Sequence, residues 1–404
     1  MLGFLPDNAS GIVSFRVTQN VITSEVAGMV LNGMFNTEAD IPLLIEVRMT
    51  NPGSLMVANS PQASGYDSLE PTYSCSVSSN LFSAIESGTN WTAHLTAATS
   101  LYSTLDNISG VSPTDSGFHM SFDHYYDNLS ARQCHGKPLP CKLVNGVNST
   151  TCVTQDVADE VYRLGNYEYS YIYRDDPRSL AASATSYGVW IGELTTHIRE
   201  FINGTSSVIY RHNVAHDGSL SRLLSVLQLD VMVWPGMGSE VVFELYKNDP
   251  MSTTPTPTTM VSATLSIIAP NCNHDNCLRQ MIQEPSAVSK FCPTYIASSA
   301  SAPLPTFVSN CGGVASSVSS ACSCLVTPTS TSATSSLTST PATSASGYYI
   351  RVLWNGQVFR SSNPSLGLMD MVPLETLLAY FDGLVGAGAS LVYGECNGSI
   401  PVPT

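Results

Sequence analysis

The 404-residue chain has little charge of either sign, and positive charge least of all. Lysine and arginine together number 16 against 31 aspartates and glutamates, for a formal net charge of −15. No basic run breaks this acidity, so nucleic-acid backbones and anionic membrane surfaces are poor partners. Long apolar runs are missing as well. No stretch of about 18 apolar residues occurs, and nothing in the sequence spans a bilayer as a helix. Met1-Leu2-Gly3-Phe4-Leu5-Pro6-Asp7 has neither the basic n-region nor the apolar h-region of a secretory leader. Zinc-type Cys/His spacing is also absent around His124 and His135, which read as loop histidines beside disulfides rather than metal ligands.

What the chain does contain points to an oxidising compartment. Eleven cysteines, Ser/Thr/Pro tracts and Asn-x-Ser/Thr sequons at Asn8, Asn90, Asn107, Asn128, Asn148, Asn203 and Asn397 together describe a secreted glycoprotein. With no leader at Met1, the expectation is that the signal was removed or that the true N-terminus lies elsewhere.

Composition divides the chain. From Met251 to about Ser346 it is Ser, Thr, Ala and Pro with few charges, including the mucin-like Thr327-Pro328-Thr329-Ser330-Thr331. The expected organisation is therefore a body over 1–250, an insert over 251–346 and a resumption of the body over 347–404. Six cysteines fall in the insert, an even number that can pair internally. The body holds Cys75, Cys134, Cys141, Cys152 and Cys396, so one of these lacks a partner within the body. The insert is either a surface excursion between adjacent strands, which costs little closure entropy, or a join of two reading frames.

Within the body, Phe15 to Ser24 reads as strand, turn and helix start, and Leu43 to Arg48 as a short strand. Residues 76–165, with four of the sequons, read as a largely helical, disulfide-pinned subdomain. Ala182 to Phe201 is the best helix, with Tyr187, Trp190, Leu194, Ile198 and Phe201 on one face and Asn203-Gly204 as its stop. Glu240 to Tyr246 is a strand behind the turn at Trp234-Pro235-Gly236, and Tyr348 to Trp354 is a strand able to pair with it across the insert. A helix follows from Pro373 to Phe381. Alternating strands and helices make the class α/β.

One stretch stands out for chemistry. Ser207 to Tyr210 is β-like, and Leu220, Leu223, Leu224 and Leu227 mark one buried helix face. Between them lie His216 and Asp217, followed by Gly218 and Ser219. A strand end presenting ionisable groups at a helix start is where open α/β sheets bind ligands, anions in particular. The plainer reading is a histidine that caps the helix and an aspartate in its first turn.

Arg211-His212-Asn213-Val214-Ala215-His216-Asp217, the segment from Trp234 to Tyr246, and Tyr349-Ile350-Arg351-Val352-Leu353-Trp354-Asn355-Gly356-Gln357 resemble the C-terminal part of the histidine acid phosphatases. The likeness is closest to their secreted fungal, phytase-like branch, and it extends to Phe15–Phe35, Asp67–Cys75 and His124–Cys134. It implies a phosphoglycerate-mutase-like sheet with flanking helices, needing no cofactor or metal, that hydrolyses small phosphate monoesters through a phosphohistidine. Asp217 would protonate the departing alcohol oxygen in a mildly acid medium, and His216 would hydrogen-bond a phosphate oxygen. The family's Arg-His-Gly-x-Arg-x-Pro nucleophile segment does not occur in these 404 residues, which implies a missing first strand and an inactive chain as given. A further family arginine falls on Arg16 or, in the register favoured by Val21-Ile22-Thr23-Ser24, on Asn20; Arg16 is either a phosphate ligand or a surface arginine at a strand end. The insert, through Asp275-Asn276-Cys277-Leu278-Arg279 and Ser319-Ser320-Ala321-Cys322-Ser323-Cys324, resembles Cys-containing modules of fungal secreted proteins and suggests cell-wall association. The alternative to an enzyme is a non-catalytic extracellular glycoprotein that keeps a phosphate-sized pocket.

Overall fold

The computed structural model is described over residues 11–18, 20–35, 45–47, 67–70, 73–248, 281, 285–297, 305, 308, 315–325, 344 and 346–403. It is mixed α/β with small sheets, and the chain divides into two compact units, Met1–Asn248 with Pro341–Thr404, and Asp249–Thr340.

In the first unit, β1 (Val13–Val17) leads through a short turn into α1 (Val21–Phe35), and β2 (Ile45–Val47) follows. Helices α2 (Ser76–Glu86), α3 (Thr89–Ala97), α4 (Thr99–Ser109) and α5 (Asp123–Cys134) come next, then a hairpin of β3 (Cys141–Val144) and β4 (Val147–Cys152). Helix α6 (Gln155–Ser170) runs into a π-turn over Tyr171–Asp175 and then into α7 (Ser179–Ile202). Strand β5 (Tyr210–Val214) is followed by α8 (Asp217–Val226) and β6 (Val241–Lys247). After α9 (Pro285–Ala297) and α10 (Ala315–Leu325) of the second unit, the first resumes with β7 (Tyr348–Trp354), β8 (Gln357–Val358), β9 (Val372–Pro373), α11 (Leu374–Val385) and α12 (Val392–Cys396).

Strand β1 lies between β2 and β5 and is parallel to both, with Phe15 opposite Ile45 and His212, and Val17 opposite Val47 and Val214. Phe15, Arg16 and Val17 are all buried, as expected of a parallel strand covered on both faces. Strands β6 and β7 pair antiparallel from Val241↔Trp354 to Lys247↔Tyr348, so the two sequence-predicted strands meet although 100 residues separate them.

Helix α7 is the spine of this unit. Its first four turns are buried almost all round, and small residues make that possible. A Cβ at Gly188 would lie 2.6 Å from Val392 and 2.9 Å from Val385, and one at Gly192 would lie 2.7 Å from Ala389. Against this spine pack α2, α8 and α11 around Ile85, Tyr187, Ile191, Leu224, Leu227, Leu377 and Phe381. The residues from α4 to α6 enclose a core of their own, with Leu101, Leu105, Phe122, Leu129, Val161 and Leu164.

Disulfides join Cys75 to Cys396 and Cys141 to Cys152, and Cys134, exposed, is the body's unpaired thiol. In the second unit α9 packs on α10, with Cys292 bonded to Cys322 and Val288, Tyr295 and Val318 buried. The remaining insert cysteines lie outside the described residues, or have side chains that do, as do Asn8 and the mucin-like tract. Among the described residues no helix is long and apolar enough to cross a membrane.

Candidate functional site

Because β1 and β5 are parallel neighbours, their carboxyl ends lie side by side, and the chain turns into a helix after each. Thr18 follows β1, and its N–H donates to the Val214 carbonyl at 3.2 Å, carrying the pairing one residue beyond the strands. His216 follows β5. Its Nε2 is 3.1 Å from Thr18 Oγ1, which is itself 2.9 Å from the hydroxyl of Thr23 in the first turn of α1. Glu70 Oε2 stands 3.6 Å from the same ring nitrogen. His216 occupies the N-cap position of α8, yet its side chain makes no capping bond. Its imidazole faces the end of β1 instead, so the simple capping role weighed from the sequence is not the one it takes.

Asp217 is the first residue of α8, where the helix dipole favours negative charge. Its Oδ2 accepts two hydrogen bonds, from Trp234 Nε1 at 2.7 Å and from the Tyr169 hydroxyl at 2.8 Å, while Oδ1 accepts the Gly218 N–H at 2.7 Å. Two donors use both lone pairs of Oδ2. A proton carried by Asp217 therefore sits on Oδ1.

The Trp234 donor is itself built in place. Its indole is sandwiched between Tyr126 and Tyr169, each ring centroid 4.0 Å away and nearly parallel. The Trp234 N–H donates to Asn166 Oδ1 at 3.0 Å. Gly165 leaves the space the stack needs: a Cβ there would collide with Tyr126 and come within 3.0 Å of the indole. Burial, and then the Asp217 charge, push the Tyr126 hydroxyl up to about 12 and the Tyr169 hydroxyl further still, so both phenols stay uncharged at any working pH. Tyr126, Gly165, Asn166 and Tyr169 come from α5 and α6. Tyr126 and Gly165 fall within the helical stretch expected over 76–165, whereas Tyr169, which bonds Asp217, lies just beyond it.

Arg16 is buried and is not the surface arginine that one reading of the sequence expected. Its Nη1 donates to Glu193 Oε2 at 2.6 Å, and its Nη2 to Asp67 Oδ1 at 2.9 Å and Ser68 Oγ at 2.8 Å. All of these partners are buried. Burial alone would lower the guanidinium pKa, but the charges of Glu193 and Asp67 more than offset this and hold it above its ordinary value. Both terminal nitrogens face protein carboxylates, while Nε, also buried, has no hydrogen-bond partner among the described residues. Asn20 is no substitute. Its Oδ1 accepts the Ile22 N–H at 2.8 Å, and it starts α1 as an N-cap.

A second arginine lies close to the His-Asp turn. Arg222, one turn along α8, donates from Nη1 to the Gly218 carbonyl at 2.8 Å and from Nε to Ser186 at 3.1 Å, and stacks over Phe82 and Tyr173. His212, on β5, accepts or donates at Nδ1 with the Tyr210 hydroxyl at 2.9 Å, and burial lowers its pKa. His124 and His135 are exposed, and no group of three metal-ligating side chains occurs among the described residues.

Sequence patterns singled out His216 and Asp217 but passed over Tyr169, Tyr126 and Gly165. The tyrosines belong to two different helices, α5 and α6, whose residue spacing gives no hint of which ring points at Asp217. Trp234 was visible as part of a turn and of the resembling segment 234–246, but not as a partner of Asp217.

No family model matches this chain. Over 123 residues it is 31% identical to a Dictyostelium discoideum protein called Counting factor 60. The match covers 30% of this chain and 26% of that protein, so it spans about a quarter of the relative's length.

Proposed function

We propose that this chain is part of a secreted acid phosphatase of the histidine type, with a phosphoglycerate-mutase-like sheet, acting on small phosphate monoesters. The observation that carries the reading is the environment of Asp217. Its Oδ2 is fixed by two neutral donors and its Oδ1 is left to hold the proton, at the carboxyl end of a parallel strand with His216 beside it. A neutral donor anchors a carboxyl without the charge that would keep it permanently ionised, which suits an acid that must give up a proton during turnover. In this reading Oδ1–H protonates the departing alkoxide as the P–O bond breaks. His216 and the amino end of α8 stabilise charge on the phosphate oxygens.

The nucleophilic imidazole and its flanking arginines would come from an Arg-His-Gly-x-Arg-x-Pro segment, which these 404 residues do not include. The seven sequons and the disulfides support export, and the Ser/Thr-rich unit supports attachment to a cell wall. No nucleic-acid, membrane or cofactor role is proposed.

p-Nitrophenyl phosphate hydrolysis at about pH 5 tests this. The 404-residue chain shows no turnover. The same chain joined to the upstream sequence of its gene, if that encodes the nucleophile segment, turns over, and Asp217→Asn in it slows poor leaving groups more than good ones. Turnover by the shorter chain overturns the assignment of the nucleophile to another segment. An extended chain that contains the segment and stays inactive overturns the phosphatase reading. That second outcome favours a non-catalytic glycoprotein, which the engagement of Arg16 by Glu193 and Asp67 already suits.

A further inference from the structure

The β3–β4 hairpin projects an apolar tip that stays exposed among the described residues. Leu143, Val144 and Val147 are 63%, 52% and 69% exposed. The finger is well built despite this. Cys141 and Cys152 close its base, Asn145 and Gly146 take left-handed conformations at φ 52° and 78°, and the Val153 N–H donates to the Pro140 carbonyl at 2.9 Å. Exposed valine and leucine on a rigid two-stranded finger are an aggregation liability unless something shields them.

The register shows what stands on each face. Leu143 pairs with Asn148 and Val144 with Val147, so Leu143 and Asn148 share one face while Val144 and Val147 share the other. Lys142 stands where the pairing shifts register between Cys141 and Leu143, and its Nζ donates to Asn107 Oδ1 on α4 at 2.7 Å, which ties that asparagine to the finger. Asn148 and Asn107 are both sequon asparagines, in Asn148-Ser149-Thr150 and Asn107-Ile108-Ser109. Both are exposed, and neither donates from Nδ2, the atom that carries a sugar, to any described residue. On α4 the sequon is held outward by its middle residue, since Ile108 is buried in the helical core. One sequon amide therefore shares the Leu143 face of the finger, and the other is tied to the finger through Lys142.

We infer that Asn148 and Asn107 carry N-linked glycans that together cover the apolar tip of this finger, the first from the Leu143 face and the second from its place at Lys142. The saccharide supplies the shield that the described residues do not, and the Lys142–Asn107 bond is compatible with it because it uses Oδ1. The three disulfides among the described residues suit the oxidising compartment in which N-glycosylation occurs. The inference does not depend on the phosphatase reading.

The test is production of the chain through a eukaryotic secretory pathway, followed by peptide N-glycosidase digestion in H2(18O) and site-resolved mass spectrometry. The isotope separates enzymatic release from spontaneous deamidation at the adjacent Asn145-Gly146. Labelled aspartate is expected at 107 and 148. In parallel, Ser109→Ala with Thr150→Ala removes both sequons without touching either asparagine. This variant is expected to bind an apolar dye about twofold more than the parent and to self-associate, and adding Leu143→Thr, Val144→Thr and Val147→Gln, which creates no new sequon at Asn145, is expected to reverse both effects. Should the variant fail to fold, the parent deglycosylated in its native state gives the same comparison. Unmodified Asn107 or Asn148 overturns the inference, as does a deglycosylated protein that binds no more dye than the glycosylated one.

Discussion

The ends of β1 and β5 lie next to each other in one sheet and treat their ionisable residues in opposite ways. At the end of β1, Arg16 is locked between Glu193 and Asp67, charge against charge, with all three buried. At the end of β5, Asp217 is held by an indole and a phenol, neither of which carries charge. A buried ion pair ties its members to one ionisation state, because separating them strands a charge in low dielectric. Neutral donors fix the carboxylate's position without placing a counter-charge beside it. The first arrangement builds structure and the second suits chemistry. Glu395 offers a third case. It is buried, its Oε2 has no partner, and burial pushes its carboxyl up to about 7.

The largest expected effect falls on the ionic lock. Arg16→Ala leaves Glu193 and Asp67 buried without their cation, and chemical denaturation should show a loss of about 3–5 kcal/mol. A loss below about 1 kcal/mol would mean that the two carboxylates are not held by Arg16. Next is Trp234→Phe, which keeps the aromatic stack and removes one hydrogen bond to a charged acceptor. Denaturation should show a loss of about 1.5–3 kcal/mol, with little change in near-ultraviolet dichroism beyond that of the lost indole.

Glu395→Gln should stabilise, and only at high pH. Below the usual carboxylate value of 4.5 the group is protonated in both folded and unfolded chains and contributes no penalty. As pH rises through about 7 the unfolded chain ionises first, so native stability falls across that window. The glutamine variant should therefore gain on the order of 2 kcal/mol above pH 7 and nothing below pH 4.5. A gain independent of pH would refute the burial argument. The smallest effect is at Asp217→Asn, where a carbonyl oxygen still accepts from Trp234 and Tyr169. A change within about 1 kcal/mol is expected in the same denaturation experiment. A cost matching that of Arg16→Ala would erase the distinction between the two strand ends.

Much of the frame was legible in the sequence. The stop at Asn203-Gly204 ends α7 as predicted, β6 and β7 form at 241–247 and 348–354, and the odd cysteine count left one thiol over, which is Cys134. These follow from local periodicity, turn chemistry and parity. The role of Arg16 was not legible. Its partners Asp67 and Glu193 lie 51 and 177 residues away, and an arginine at a strand end looks the same whether it meets a ligand or a carboxylate. The buttress of Asp217 was hidden for a similar reason, since Tyr169 precedes it by 48 residues and Trp234 follows by 17.

The sequence by itself determined the α/β alternation, the placing of His216 and Asp217 between a strand and a helix, and the seven sequons, because each is encoded in a few neighbouring residues. Only the tertiary structure decided which groups surround them. Pairing β1 with β5 brought Thr18 to His216. The gap at Gly165 let Tyr126 and Trp234 stack, and with Tyr169 on the indole's other face they turned two neutral donors onto one oxygen of Asp217. Hydrogen bonds and ion pairs depend on distance in space, and that is fixed only when remote segments pack.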